Sequence, residues 1–564
     1  MNKKFKKQEH KNLLNKQKLN LLFTKVLYII IFVFAIIYLP TPIWHFPDGI
    51  GYYSYLPVLF EQKNYDFKPL FDLYTTNVAI TNKGFVVNDF GCGSAVMWLL
   101  AYIISRIFES RSVSIIFVNF FSSLLGIFSL FFVYKTLLLF KTEKFIAKLI
   151  SFFIFLGSPL VFYSYVIPQN PHTVTAFLCS VFLYFWLSTY GQKKLARWIL
   201  LGLILGLATL VREQEVLFGM CLIIELISEV IKNKKFDKIY FKFISVFLIT
   251  FLFVLTPYFL NSMIVFGNVF IPKSYTLSFT KFSLYSVLDV IFSAYHGLFW
   301  WTPVLVLGIA GLFFGLNKNF VVSVSFILIL FLQIVLISLV TAPGGGSSFG
   351  IRYLTDCSTI FAFGIYQIYS LLKNSRIKFL FLSICGILTL WTVMLVILSA
   401  KGIVNLLEPY TMKEFLTVVI KNIGNVIKIK FSPRIILDYD QYFFIVIIFV
   451  LCFSITKLLY SVIKNNTAYW AVIMGVIFAI VLFDIKMFES GVGNRVVYKN
   501  YKEFLSFNDY KNYFLLAGLK VRIKYYKKIK DEKNYQHYFE IAKNLNFETL
   551  KGKNLYNIMF PNLE

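Results

Sequence analysis

The chain has 564 residues, 58% of them hydrophobic and only 15% charged, with a mean hydropathy of +0.71. A soluble globule needs far more polar surface, so this is a polytopic membrane protein. Its formal net charge of +28 gathers in short lysine-bearing loops between apolar runs, as the positive-inside rule distributes it, and reads as topology rather than as a nucleic-acid surface.

In chain order, Lys3, Lys4, Lys6, Lys7, Lys11, Lys16 and Lys18 precede a long apolar run without a small-residue cleavage site. Residues 1–20 are expected to be a basic cytoplasmic N-terminus ahead of a retained first span, not a cleaved signal peptide. Apolar windows long enough to cross ~30 Å of hydrocarbon start near Leu21, Val113, Phe145, Thr173, Arg197, Glu215, Phe243, Leu298, Phe320, Arg352, Ile377, Gln441 and Ala468. The expected fold class is therefore all-α, with about thirteen transmembrane helices and outer-face juxtamembrane helices. A transmembrane module over 21–400 is followed by an outer loop and the last two spans over 401–487. The lysine- and tyrosine-rich residues 488–564 are expected to be a C-terminal tail or a small outer-face domain.

Sidedness turns on the short run from Cys92 to Phe108. If it is juxtamembrane, the loops Lys141 to Lys144, Gln192 to Arg197, Lys232 to Lys238, Asn317 to Asn319, Lys373 to Lys378 and Lys464 to Asn466 all face the cytoplasm with the N-terminus. The positive-inside rule favours that choice. The remaining polar features then share the outer face: Asp48, Asn88, Asp89, Pro168 to His172, Arg212 to Glu215, His296, and Gly344 to Arg352.

Asp48, in His45-Phe46-Pro47-Asp48-Gly49-Ile50-Gly51-Tyr52-Tyr53, is the most informative of these. A carboxylate near hydrocarbon loses hydration, and pairing, metal binding or proton transfer are the usual reasons to keep one there; the alternative is that it starts an interfacial helix. Tyr52, Tyr53 and Tyr55 read either as an aromatic belt or as walls of a lipid or sugar site. Asp89 caps a helix or serves catalysis. His172 hydrogen-bonds at a helix start, or binds an acidic group or a metal. Arg212 pairs with Glu215 three residues on, or faces a phosphate. His296 is an interfacial histidine or a substrate contact. In Gly344-Gly345-Gly346-Ser347-Ser348-Phe349-Gly350-Ile351-Arg352, glycines permit close backbone approach, the following helix offers its positive end and Arg352 adds a planar cation, together an anion site suited to a lipid phosphate. Six cysteines without CxxC or Cys/His spacing imply neither disulfides nor zinc. No GxxxxGK[ST] motif is present, which removes an ATP-driven reading of that type.

Asp48 among aromatics, the run Asn88 to Phe108, Pro171-His172, Gly206 to Arg212, His296-Gly297 leading to Trp301-Thr302-Pro303, and Gly345 to Tyr353 resemble bacterial GT-C glycosyltransferases, those similar to protein O-mannosyltransferases and to aminoarabinose transferases of lipid A. The resemblance covers roughly residues 20 to 400. It implies transfer of a sugar from a polyprenyl-phosphate carrier to a lipid, glycan or protein acceptor at the outer face of the cytoplasmic membrane. Many members carry a second acid beside the first-loop acid, whereas here Gly49 follows Asp48. No cofactor is therefore assigned, and a divalent metal is left as an option rather than a requirement.

The chemistry asks for one base on the acceptor hydroxyl and cations on the departing phosphate. Asp48, with His172 and Asp89, is the expected catalytic set. Tyr52, Tyr53, Arg212, His296, Ser347, Ser348 and Arg352 are the expected substrate contacts. A glycosidase would need two carboxylates at defined spacing. A polysaccharide flippase or transporter, which would carry mid-membrane polar groups and internal repeats, and a lipid-linked glycan polymerase or ligase are the alternatives.

Overall fold

The computed structural model describes residues 48–62, 65–67, 80–88, 90–108, 111–235, 237–272, 282–340, 348–400, 403–406 and 410–423, with four isolated positions beyond residue 530. The chain divides into two compact units, 1–428 and 429–564, and everything below belongs to the first. The expected spans beginning at Leu21, Gln441 and Ala468, the candidates Asp89 and Ser347, the triple glycine and most of the tail lie outside the described residues.

Among the described residues the fold is helical, with one isolated antiparallel bridge between Ile80 and Val86. The helices are α1 (Asp48–Pro57), α2 (Gly93–Ser105), α3 (Arg111–Leu139), α4 (Lys144–Leu156), α5 (Pro159–Tyr165), α6 (His172–Ser188), α7 (Leu195–Val211), α8 (Met220–Asn233) and α9 (Ile239–Val254). They continue as α10 (Thr256–Val265), α11 (Leu284–Phe292), α12 (Leu298–Trp301), α13 (Pro303–Gly315), α14 (Phe320–Leu339), α15 (Ser358–Leu371), α16 (Ser375–Ala400) and α17 (Met412–Lys421).

Ten of the thirteen expected windows fall among the described residues, and they largely recur there as helices. Among the described residues three helices are long and apolar enough to cross a membrane, Phe117–Leu139 within α3, α14 and α16, or up to five if two bent pairs each count as one. The pairs break for local reasons. α4 and α5 meet at 70° where Gly157 ends one helix and Ser158 caps the next, its hydroxyl accepting from Leu160 N with Pro159 in the first turn. α9 and α10 meet at 44° just before Pro257, whose ring and missing N–H interrupt the ladder. Hydropathy windows average across such breaks and so report one long span. The run expected to be juxtamembrane forms α2, whose 13 residues rise ~20 Å and fall short of the hydrocarbon thickness.

Packing sets the positions of the site-bearing turns. α13 and α15 pack closely because Gly308, Gly311 and Gly364 bring backbone against backbone: a Cβ on Gly311 would stand 1.9 Å from the Gly364 carbonyl oxygen. Small residues at such a crossing let helices approach where no hydrophobic driving force exists in lipid. The 3-10 turn Arg352–Cys357 leads directly into α15, so this contact fixes Arg352. α6 packs on α3 and α7, which holds His172 beside Arg212 at the end of α7.

At the other end of α7, Arg197 and Glu225 form a buried ion pair at 2.6 Å, with 3% and 4% of their side chains exposed. Trp186 Nε1 and Gly191 N also donate to Glu225, and Arg197 Nε donates to Thr189, so both charges are satisfied and α6, α7 and α8 are tied together. Removing one partner leaves the other charge stranded, at a cost of about 3–5 kcal/mol. Glu225→Ala is therefore expected to lower the thermal melting of the detergent-solubilised protein sharply. Asp237→Ala, which breaks an exposed pair with Lys193 and an exposed hydrogen bond from Ile239 N, should lower it far less. Equal effects would contradict this assignment.

Candidate active site

Asp48 opens α1, and its carboxylate sits in the first turn, where the helix dipole favours negative charge. Both readings of this residue hold at once: it starts the helix and it meets a distant cation. Arg352 Nη1 donates to Asp48 Oδ2 at 2.6 Å across 304 residues of sequence. The pair is only partly shielded, with 13% of the Arg352 side chain and 23% of the Asp48 side chain exposed. It is a single-point contact, and Arg352 Nε is buried without a hydrogen-bond partner. Burial opposes the charge on Arg352, and Asp48 and Tyr353 more than restore it.

α1 is clamped by the segment before α2. Asn88 Nδ2 donates to Gly51 O and to Ser54 Oγ, Phe90 N donates to Asn88 Oδ1, and Tyr55 OH donates to Phe90 O. Phe90 lies over Tyr52 with ring centroids 5.0 Å apart. Burial pushes the Tyr52 phenol well above its usual range, and its charged neighbours are Arg212, Asp48 and Arg352. Gly49 has a steric reason: a Cβ there would meet Gln169 Cβ at 2.8 Å and Gln169 Oε1 at 3.0 Å. A side chain at position 49 therefore has no room unless Gln169 moves.

Behind Asp48 and Arg352 stands a second charged group. Arg212, in extended conformation after α7, donates through Nη1 to Asp356 Oδ2 at 3.0 Å and to His172 Nδ1 at 3.2 Å, and through Nη2 to Gln214 Oε1 at 2.8 Å. Accepting at Nδ1 places the His172 proton on Nε2. Gln214 Nε2 continues to Gln333 Oε1 on α14. The ring of Tyr353 lies under both guanidinium groups, 4.8 Å from Arg212 Cζ and 5.3 Å from Arg352 Cζ, which aligns the two cations.

The site thus brings together Asp48, Tyr52, His172, Arg212 and Arg352. Tyr53 packs in the core against Tyr102. His296, at φ +68°, is buried between Tyr295 and Trp301, in the aromatic wall completed by Phe162 and Phe349. Ser348 donates to Gly350 O, and Phe349 N donates to Tyr163 OH; the Tyr163 ring lies 4.5 Å from His172. The expected helix N-terminus at Arg352 is displaced, because Arg352 begins a 3-10 turn and the helix proper starts at Ser358. Among the described residues no group of three His, Cys, Asp or Glu side chains is arranged to hold a metal ion. Sequence reasoning missed Asp356, Tyr353 and the Gln214–Gln333 link. The buried carboxylate four residues after Arg352 was open to the same desolvation argument as Asp48.

The glycine before Tyr52 provides a steric test of the clamp. A Cβ on Gly51 would stand 2.0 Å from Phe90 Cδ2; Gly51→Ala is expected to cost about 1–3 kcal/mol through overpacking. Gly386→Ala meets only an ordinary contact, 3.7 Å from Phe153 Cε1, and should be silent. Melting curves showing no difference between the two would mean that Phe90 does not fix α1.

Residues 94–260 match the family model of dolichyl-phosphate-mannose-protein mannosyltransferases. The match contains His172 and Arg212, while Asp48 and Arg352 flank it. No protein of curated function matches the chain. A crystal structure of ArnT from Cupriavidus metallidurans in the apo state aligns with a TM-score of 0.41 and 12% identity, over 72% of this chain and 75% of that one. The resemblance to GT-C glycosyltransferases read from the motifs is thus met again, independently, by the mannosyltransferase family model over residues 94–260.

Proposed function

We propose that this protein transfers a sugar from a polyprenyl-phosphate-linked donor to a lipid, glycan or protein acceptor at the outer face of the cytoplasmic membrane. The observation that carries the reading is the Asp48–Arg352 pair: a carboxylate and a half-used guanidinium at hydrogen-bond distance, partly open to solvent. The acceptor oxygen attacks the anomeric carbon with inversion while the bond from that carbon to the phosphate oxygen breaks. The hydroxyl proton passes to Asp48, and the electron pair leaves on the phosphate, whose charge Arg352 holds. Arg352 meets the phosphate first because its Nε is unused, whereas the donors of Arg212 are largely committed to Asp356, His172 and Gln214.

In the absence of donor, Asp48 and Arg352 occupy each other. Seating a phosphate on Arg352 shifts its hydrogen bonds from Asp48 to the phosphate oxygens and releases the carboxylate to face the acceptor. Asp48→Asn is therefore expected to lower transfer by about 10²- to 10⁴-fold while polyprenyl phosphate binds as tightly as in the wild type or more so. Arg352→Ala is expected to weaken that binding by about 1.5–3 kcal/mol, with Arg352→Lys in between because it keeps the charge and loses the planar fork. Transfer assays and direct binding on the purified variants check both. Full activity in Asp48→Asn would overturn the reading.

The assignment of sides rests on loop charge and has its own test. In a cysteine-free background, a cysteine at exposed Lys83 should react with an impermeant thiol reagent on intact cells, and one at exposed Lys193 should not. The opposite pattern would move the site to the cytoplasmic face.

A further inference from the structure

The inner charged group sets one cation against two carboxyls. Arg212 Nη1 stands 3.0 Å from Asp356 Oδ2 and 3.9 Å from Glu215 Oε1; the arginine side chain is 8% exposed and both carboxyls are fully buried. Thr175 donates to Asp356 Oδ1 and Cys179 Sγ donates to Glu215 Oε2. Glu215 Oε1 has no hydrogen-bond partner of good geometry. The other titratable or charged groups facing this cluster are His172 on α6, Cys179 on the same helix, Cys357 beside Asp356, and Arg352, Tyr353 and Tyr52 from the outer part of the site. His172 accepts from Arg212 and so carries no positive charge there. One cation therefore confronts two carboxyls inside the protein, and two full negative charges would leave one of them buried and uncompensated, which is costly. Coupled buried carboxyls resolve this by sharing a proton.

We infer that Asp356 and Glu215 are positioning residues for Arg212 that carry one negative charge and one proton between them, so that either can serve as its counter-ion. Asp356, nearer and supported by Thr175, is the ionised member; Glu215 is the neutral one. Burial and the adjacent Asp356 both push the Glu215 carboxyl well above the usual carboxylate range, in keeping with that division. This device deepens the proposed function: it holds the second cation of the site, through Tyr353, in register with Arg352.

The test is a set of variants in which side-chain shape is nearly constant and only charge changes. Glu215→Gln should melt within about 3 °C of the wild type, because it replaces a neutral group. Asp356→Asn should also be tolerated, since Glu215 can ionise and take over; the KM for donor should rise no more than about threefold in either single variant. The double variant Asp356→Asn/Glu215→Gln should lose far more than the sum of the singles, with a melting drop of about 10 °C or more and a donor KM raised at least tenfold. Adding Arg212→Met to the double variant removes the stranded cation and should restore the melting temperature without restoring donor affinity. If Asp356→Asn alone melts as low as the double variant, or if the two singles add, or if the triple variant does not recover, the shared charge is refuted. The melting arm needs no substrate. Cooperative melting behaviour in a protein that binds no polyprenyl phosphate would support the shared charge and overturn the glycosyl-transfer reading alone.

Discussion

The site depends on an ion pair between two residues that only the complete fold brings together. Asp48 belongs to the short helix at the start of the described chain and Arg352 to a turn 304 residues later, yet their side chains meet at 2.6 Å. Each carries a charge that is costly near hydrocarbon unless it finds a partner. The pairing therefore stabilises the junction of the first loop with the later helices, and it leaves at that junction a carboxylate and an incompletely used guanidinium. Under the proposed function, stability and chemistry draw on the same two groups.

Two scaffolds hold that pair in place, and they act differently. The first is steric: glycines at 308, 311 and 364 bring α13 and α15 into backbone contact, and Gly49 and Gly51 let Gln169 and Phe90 close over α1. The second is electrostatic: Arg212, bound by Asp356, His172 and Gln214, shares the Tyr353 ring with Arg352. The steric scaffold sets where the turns are. The electrostatic one sets how the guanidinium groups point, and it uses directed hydrogen bonds to do so.

Much of this was legible in the sequence, and the failures have physical causes. Asp48, His172, Arg212 and Arg352 stood out because charged or ionisable groups in apolar surroundings are costly, and loop charge placed their segments on one side; all four converge in the structure. Their pairing was not legible, because nothing in a sequence states that position 48 meets position 352. Asp356 was missed although its carboxyl is fully buried, since the glycine-rich stretch before Arg352 drew the reading to the residues ahead of it. His296 and Tyr53, expected as substrate contacts, have their rings packed against Tyr295 and Trp301 and against Tyr102 respectively, contacts that a sequence does not state. The breaks at Ser158 and Pro257 were not legible either, because a hydropathy window registers apolarity and averages across a bend where one apolar run becomes two helices.

The central claim is that Asp48 and Arg352 form the working face of a glycosyltransferase that takes its sugar from a polyprenyl-phosphate carrier. The most direct measurement reconstitutes the purified protein in lipid vesicles with a synthetic polyprenyl-phosphate-linked sugar and follows the release of free polyprenyl phosphate. The account requires release that depends on an added acceptor and disappears in Asp48→Asn. A donor that stays intact across a panel of sugars and acceptors, or release that is unchanged by the substitution, would contradict it.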